Sequence, residues 1–244
     1  MRWIQKGNEC KELTQWRTAN AAVPQNLVYG GGGFPNAQVL AALLAEQGDL
    51  CAYTLKRIDP NTAHIEHLKP QRKCREEDNV REAANQAPNR EDVAWHNLVA
   101  CFPAPNPIAP PGYGAVMKDK WWPAAGAAGF VSPLNNDCES RFAFCLNGEM
   151  RPADEDDAAA RETIRAIGLN DGRLQELRKK AIVEMGLHPR SPKPLTSPAK
   201  VRQIIAAWLQ RDGGNRYREF CVPVRAAALQ HLAKLEGRAN QGAS

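Results

Sequence analysis

Histidine is scarce in this chain of 244 residues: there are five, against seven cysteines and six tryptophans. No run approaches the roughly 18 consecutive apolar residues that a membrane-spanning helix requires, so none is expected. The opening "MRWIQKGNEC" lacks the apolar stretch of a secretory signal, which makes the cytoplasm the expected location. The cysteines are odd in number and follow no repeating framework. They read as free thiols or occasional metal ligands rather than disulfides. No internal repeat of solenoid or propeller length is present. The formal charge of +5 is a mild excess that permits a nucleic-acid partner without establishing one. With 43% apolar and 24% charged residues the composition is that of a globular protein with a real core.

What is there can be followed along the chain. An N-terminal arm runs to "YGGGGFPN", after which Asn36 is expected to cap a helix with Val39, Leu40, Leu43 and Leu44 as its apolar stripe and Gly48 as its stop. "DLCAYTLKRI" and "AHIEHL" are short β-prone runs joined across "DPN". From Lys69 to Asp92 the chain is almost wholly polar and reads as a solvent-facing excursion. "VAWHNLVACF" returns to apolar character, and the proline-rich "PAPNPIAPPGYG" can be neither helix nor inner strand. Phe142, Phe144 and Leu146 alternate ahead of Asn147-Gly148, which predicts a hairpin with two positive-φ turn residues. From Asp154 the pattern is helical: "DEDDAAARETIRAIG" puts acids in a first turn, and Leu174, Leu177, Ile182 and Met185 share one face of the next helix. Ser197-Pro198 opens a further helix, and a last one is expected over about Val222 to Leu235. Three stretches result: an arm and helix over 1–44, a mixed central unit over 45–151, and a helical region over 152–244.

The chemistry concentrates in "HIEHLKP", residues 64–70. Glu66 offers a hard carboxylate suited to Mg²⁺ or Mn²⁺, and His67 an imidazole that titrates near neutrality. Neighbours on a regular strand point to opposite faces, so the two share a site only where the strand ends or bends, and Pro70 supplies the break. An isolated Glu-His pair is more simply a surface ion pair. His64, on the same strand parity as Glu66, reads equally as a supporting group or a plain surface histidine. Further on, "WHNL" adds Asn97, whose amide can complete a metal sphere, orient the imidazole or merely turn the chain. "YGAVMKDKWW" adds Lys118, Asp119 and Lys120.

In this order the segments resemble the HNH, or ββα-metal, nucleases. The nearer resemblance is to the PtuB-like HNH subunits of Septu-type and retron-associated antiphage systems, carried by "EQGDLCAYTLKRI", "HIEHLKPQ", "WHNLVACF", "YGAVMKDKWW" and "FVSPLNNDCESRFAFCLNGEM" over 45–151. The resemblance implies an α+β fold with an HNH (ββα-metal-like) core, an additional β-hairpin and surrounding, mainly C-terminal, helices. It implies that His67 is the general base, that Glu66 holds one divalent ion, and that Asn97 supports the ion or the base. Asp119 is the nearest substitute for the third ligand on the helix. Lys69, Arg72, Lys73 and Lys118 become candidates for phosphate contacts. The family's structural zinc uses two Cys-x-x-Cys pairs; here the first reads Cys51-Ala-Tyr-Thr54, and only Cys51 and Cys101 are left to hold such an ion. The implied function is a metal-dependent endonuclease acting on DNA or RNA, the toxic effector of a prokaryotic defence system. Its partners would be an ABC/SMC-like ATPase and, in the retron case, a reverse transcriptase with its msDNA. A degraded HNH scaffold, or a nucleic-acid-binding subunit without cleavage, is the alternative.

Other conspicuous residues take structural readings. Trp121 and Trp122, ahead of a proline, are core anchors more often than base-stacking platforms. Cys138 and Cys145 are packing residues. Arg178, Lys179 and Lys180 form a charged helix face of the kind that is usually solvated. His96, His188 and His231 carry no chemical argument.

Overall fold

Helix α2 (Asn36–Gln47) shows how closely local sequence and packing agree. Val39, Leu43, Leu44 and Gln47 recur on its buried face, and Gly48 ends it in the left-handed conformation at φ 58°. The N–H of Asp49 closes the end by reaching back to the carbonyl of Leu44. A side chain at Gly48 would also meet Tyr217, 2.6 Å from the site of its Cβ, so glycine is required twice over. Asn36 is the first helical residue rather than the cap, a position held by Pro35.

The structure, a computed structural model, describes residues 1–127 and 129–241. After α1 (Lys11–Ala19) and α2, strand β1 (His64–His67) pairs antiparallel with β2 (Leu98–Cys101), placing Glu66 opposite Val99 and His67 opposite Leu98. Between the two strands runs the polar excursion, most of which is helix α3 (Gln71–Ala83). A short helix α4 (Ala115–Lys118) follows the proline-rich connector. The second sheet is the hairpin of β3 (Phe142–Phe144) and β4 (Met150–Pro152). Helices α5 (Ala158–Ala166), α6 (Gly172–Glu184), α7 (Pro198–Ala207) and α8 (Cys221–Gln241) complete the chain. The class is α+β, with eight α-helices and two small antiparallel sheets among the described residues.

β2 is the hub. All four of its residues are fully buried, and Leu98 and Val99 alone contribute about 3–6 kcal/mol of apolar burial. Its outer edge is satisfied without a third strand. The Gln47 amide donates to the carbonyls of Leu50 and Ala100, both at 2.8 Å, and accepts from the N–H of Ala100 at 2.7 Å. The core around β2 draws on α1, α2, the hairpin, α5 and α6, while α7 and α8 close a smaller cluster about Val201 and Val224.

Several expectations need correction. "DLCAYTLKRI" is a tight turn bridged by Leu50 and Arg57, not a strand. At Asn147-Gly148 only Gly148 has positive φ, at 85°; its N–H bonds the Cys145 carbonyl while the Cys145 N–H bonds Glu149, so one glycine does the work of two left-handed residues. The acids before α5 lie outside the helix, whose cap is Asp157, accepting from the N–H of Ala160. Arg178 is not on a solvated face. It is buried, donates to the carbonyls of Gly148 and Leu169, and is pushed down to about 10 by burial. Ser197 does cap α7, with Pro198 in the first turn.

Candidate active site

His67 is the last residue of β1 and is 5% exposed. Its Nε2 lies 2.8 Å from the carbonyl oxygen of Asp92. A carbonyl can only accept, so Nε2 carries the hydrogen and Nδ1 keeps its lone pair. The Gln71 amide nitrogen stands 3.4 Å from Nδ1, and the Tyr29 ring meets the imidazole edge-on at 4.6 Å between centroids. Burial pushes the imidazole below its ordinary value, against the opposing pull of the Asp92 carbonyl and the Glu66 charge, so the neutral form is favoured.

Glu66 sits between Lys118 and His64. Its Oε1 accepts from Nζ of Lys118 at 3.0 Å, and Oε2 lies 3.7 Å from Nε2 of His64. Burial alone would raise its carboxyl; the His64 contact and the Lys118 ammonium outweigh it and hold Glu66 below the usual carboxylate range. His64 is anchored in turn by Nδ1 on the Pro103 carbonyl. The Lys118 side chain is 0% exposed, and its ammonium also donates to the His67 carbonyl at 2.8 Å. Where the sequence suggested a phosphate contact, Lys118 therefore forms an internal ion pair that ties α4 to β1.

Asn97 is likewise committed. Its Oδ1 accepts from the N–H of Lys69 at 2.7 Å, and its Nδ2 donates to the carbonyls of Lys69 and Glu91, each at 3.0 Å. Buried and held by backbone on both sides, it staples together the two ends of the excursion and faces no open space as a metal ligand. Asp92 adds a second tie, accepting from the N–H of Tyr29 at 3.0 Å. Asp78 closes the far end of α3 on the N–H groups of Asn89 and Arg90.

His64, Glu66 and His67 open onto a cavity of about 1000 Å³ walled by α3, the proline-rich loop from Pro103 to Pro107, and the end of α4. Asp119 lines it, at φ 39° just past α4, together with Lys120. Of the remaining basic residues singled out from sequence, Lys69 pairs with Glu77 and Glu91, and Arg72 and Lys73 both reach Glu76, at 2.9 and 3.8 Å. Arg75 and Lys120 line the same cavity, and among the described residues neither has an acidic partner. Arg75 instead donates to the Gln71 amide oxygen at 3.2 Å, which turns that amide's nitrogen toward His67. Sequence reasoning missed Tyr29, Gln71, Arg75 and Asp92. Asp92 acts through its backbone, which no side-chain pattern can reveal.

Cys51 and Cys101 are both fully buried, and the Cys51 sulfur accepts from the N–H of Phe102 at 3.4 Å. Burial pushes both thiols up, but Cys101, Thr54 and that N–H turn Cys51 down while Cys101 stays well raised. A zinc would find two sulfurs here, half of a closed structural set, so the donor set does not fit that ion.

The donor set does suit a hydrated divalent cation at Glu66. Such ions keep much of their water and need only one or two protein ligands, and Glu66 and His64 both line the open cavity. The Tyr53 hydroxyl is buried close enough to Glu66 for the carboxylate, after burial itself, to push it up. Among the described residues no three His, Cys, Asp or Glu side chains form a ready cluster. Compared with known proteins, the chain matches no family model and no curated protein.

Proposed function

We propose that this chain is a divalent-metal-dependent endonuclease of the HNH type. The observation that supports it most is the imidazole of His67: buried, inclined to stay neutral, its hydrogen fixed on Nε2 by Asp92, its Nδ1 facing the Gln71 amide, in the wall of the same open cavity that Glu66 lines. In this reading Nδ1 takes a proton from a water as its oxygen attacks phosphorus. The opposite P–O bond breaks, and the leaving oxygen takes a proton from solvent. Glu66 would hold a divalent ion, whose positive charge would offset the negative charge that develops in the transition state. Asn97 is a positioning residue that holds the excursion from which Asp92 reaches His67. Arg75 and Lys120, the cations free of carboxylates, take the phosphate contacts; Lys69, Arg72 and Lys73 hold the walls. Asp119 is kept only as a further carboxylate lining the same cavity.

The ordered motifs over 45–151 extend the proposal to an HNH core within a cytoplasmic, toxic antiphage effector of the Septu or retron type, working with an ABC/SMC-like ATPase and, in the retron case, a reverse transcriptase and msDNA. The test is a nicking assay on DNA and RNA, with and without that ATPase, in Mg²⁺ or Mn²⁺ against EDTA. Cleavage that needs the ion and falls by about 10²-fold or more in His67→Ala is the expected result. Identical products from both proteins under every condition overturn it. A second reading, a degraded scaffold or binding-only subunit, draws on the ammonium already seated on Glu66 Oε1. It expects nucleic-acid binding with no ion-dependent cleavage.

A further inference from the structure

We propose that His64 is a second protein ligand to the divalent ion, so that a His64–Glu66 pair on one face of β1 forms a mixed nitrogen–oxygen site that selects Mn²⁺ and similar borderline metals over Mg²⁺. The inference deepens the nuclease reading and rests on it only for the use to which the ion is put. Residues two apart on a strand project from the same face, and these two are the half-buried positions of β1. Glu66 Oε1 is occupied by Lys118, which leaves Oε2 as a single donor. His64 Nε2 lies 3.7 Å from it. Two donors that each sit about 2.1 Å from one ion stand about 3.0 to 3.4 Å apart, so a small closing movement brings both onto a shared metal.

The imidazole is also oriented for this task. Its Nδ1–H donates to the Pro103 carbonyl, which puts the other lone pair on Nε2, toward Oε2 and the cavity. A backbone carbonyl behind the ring is the usual support of a metal-bound histidine. When His64 is protonated the pair is an ion pair; metal binding then expels one proton from Nε2 to solvent. Asn97, the alternative second ligand, is held by three backbone groups. An imidazole in the set disfavours Mg²⁺, which prefers oxygen, and favours first-row metals.

The site is tested with the purified full chain and Mn²⁺, reading free Mn²⁺ by electron paramagnetic resonance and the bound ion by electron spin-echo modulation. One ion is expected per chain, with a nitrogen modulation from a coordinated imidazole, and excess Mg²⁺ displacing it poorly. In His64→Ala that modulation disappears and affinity falls at least about tenfold. His96→Ala, a change on an exposed ring, leaves both as they were. Bound Mn²⁺ without nitrogen modulation in the unaltered protein overturns the inference without recourse to any variant; so does undiminished affinity in folded His64→Ala, or no binding at all. Failure of the nuclease reading looks different: the ion binds through His64, yet His67→Ala cleaves as the unaltered chain does.

Discussion

Nζ of Lys118 and Oε1 of Glu66 lie 3.0 Å apart at the junction of a four-residue helix and a four-residue strand, with the lysine side chain wholly shielded from water. Neither element is long enough to be stable alone, so the pair fixes their relative placement. Lys118→Met leaves the carboxylate without its ammonium and the His67 carbonyl without its donor. The expected cost is about 3–5 kcal/mol, read by urea unfolding. Adding Glu66→Gln to Lys118→Met recovers part of that cost, because the stranded charge is gone. A strictly additive double variant counts against the pair as described.

His67 gives stability a pH dependence of known sign. Unfolded, its imidazole titrates near 6.5; folded, burial holds it lower. Between those values the unfolded chain binds the extra proton. The contribution is therefore whole above about pH 6.5 and is lost as pH falls toward the folded value. The stability advantage of the unaltered chain over His67→Asn should shrink between about pH 7 and pH 5. An advantage that grows on acidification means the folded imidazole is charged.

Asn97→Asp keeps an acceptor for the Lys69 N–H but loses both donated bonds, to Lys69 and Glu91. A loss of about 2–4 kcal/mol is expected, with amide exchange rising from Lys69 through Asp92 ahead of global unfolding. Unchanged protection in that segment would show that the staple is not what closes it.

Replacing Arg75 and Lys120 together by Ala should weaken nucleic-acid binding and reduce the slope of log K against log salt by about 1.4–1.8, the value for two phosphate contacts. Arg72→Ala and Lys73→Ala, whose charges already face Glu76, should move the slope less. Equal effects from all four residues would mean that the carboxylates do not discriminate among them.

Much of this molecule could be read from its sequence wherever a local rule decided the outcome. Gly48 stops α2 because only glycine fits the left-handed turn beside Tyr217, and Ser197 caps α7 through its own hydroxyl. Strand β1 and the hairpin stood out through residue order and alternation, but the partner of β1 did not: it is β2, not the run before the turn. The rest depended on partners distant along the chain. α3 was hidden because only Cys74 and Asp78 of its thirteen residues are buried, too few for an apolar stripe. Lys118 and Arg178 looked like surface cations, yet Glu66 and two backbone carbonyls take them inside. At the candidate site, Glu66 and His67 were visible as a pair, whereas the tautomer of His67 depends on a peptide group of Asp92.

That peptide group follows its histidine by 25 positions, at the opposite end of the excursion. The location of one hydrogen is thus written by the length of an intervening loop. An insertion or deletion in the turn beyond α3, between residues 84 and 88, would shift that peptide group without altering any residue that lines the cavity.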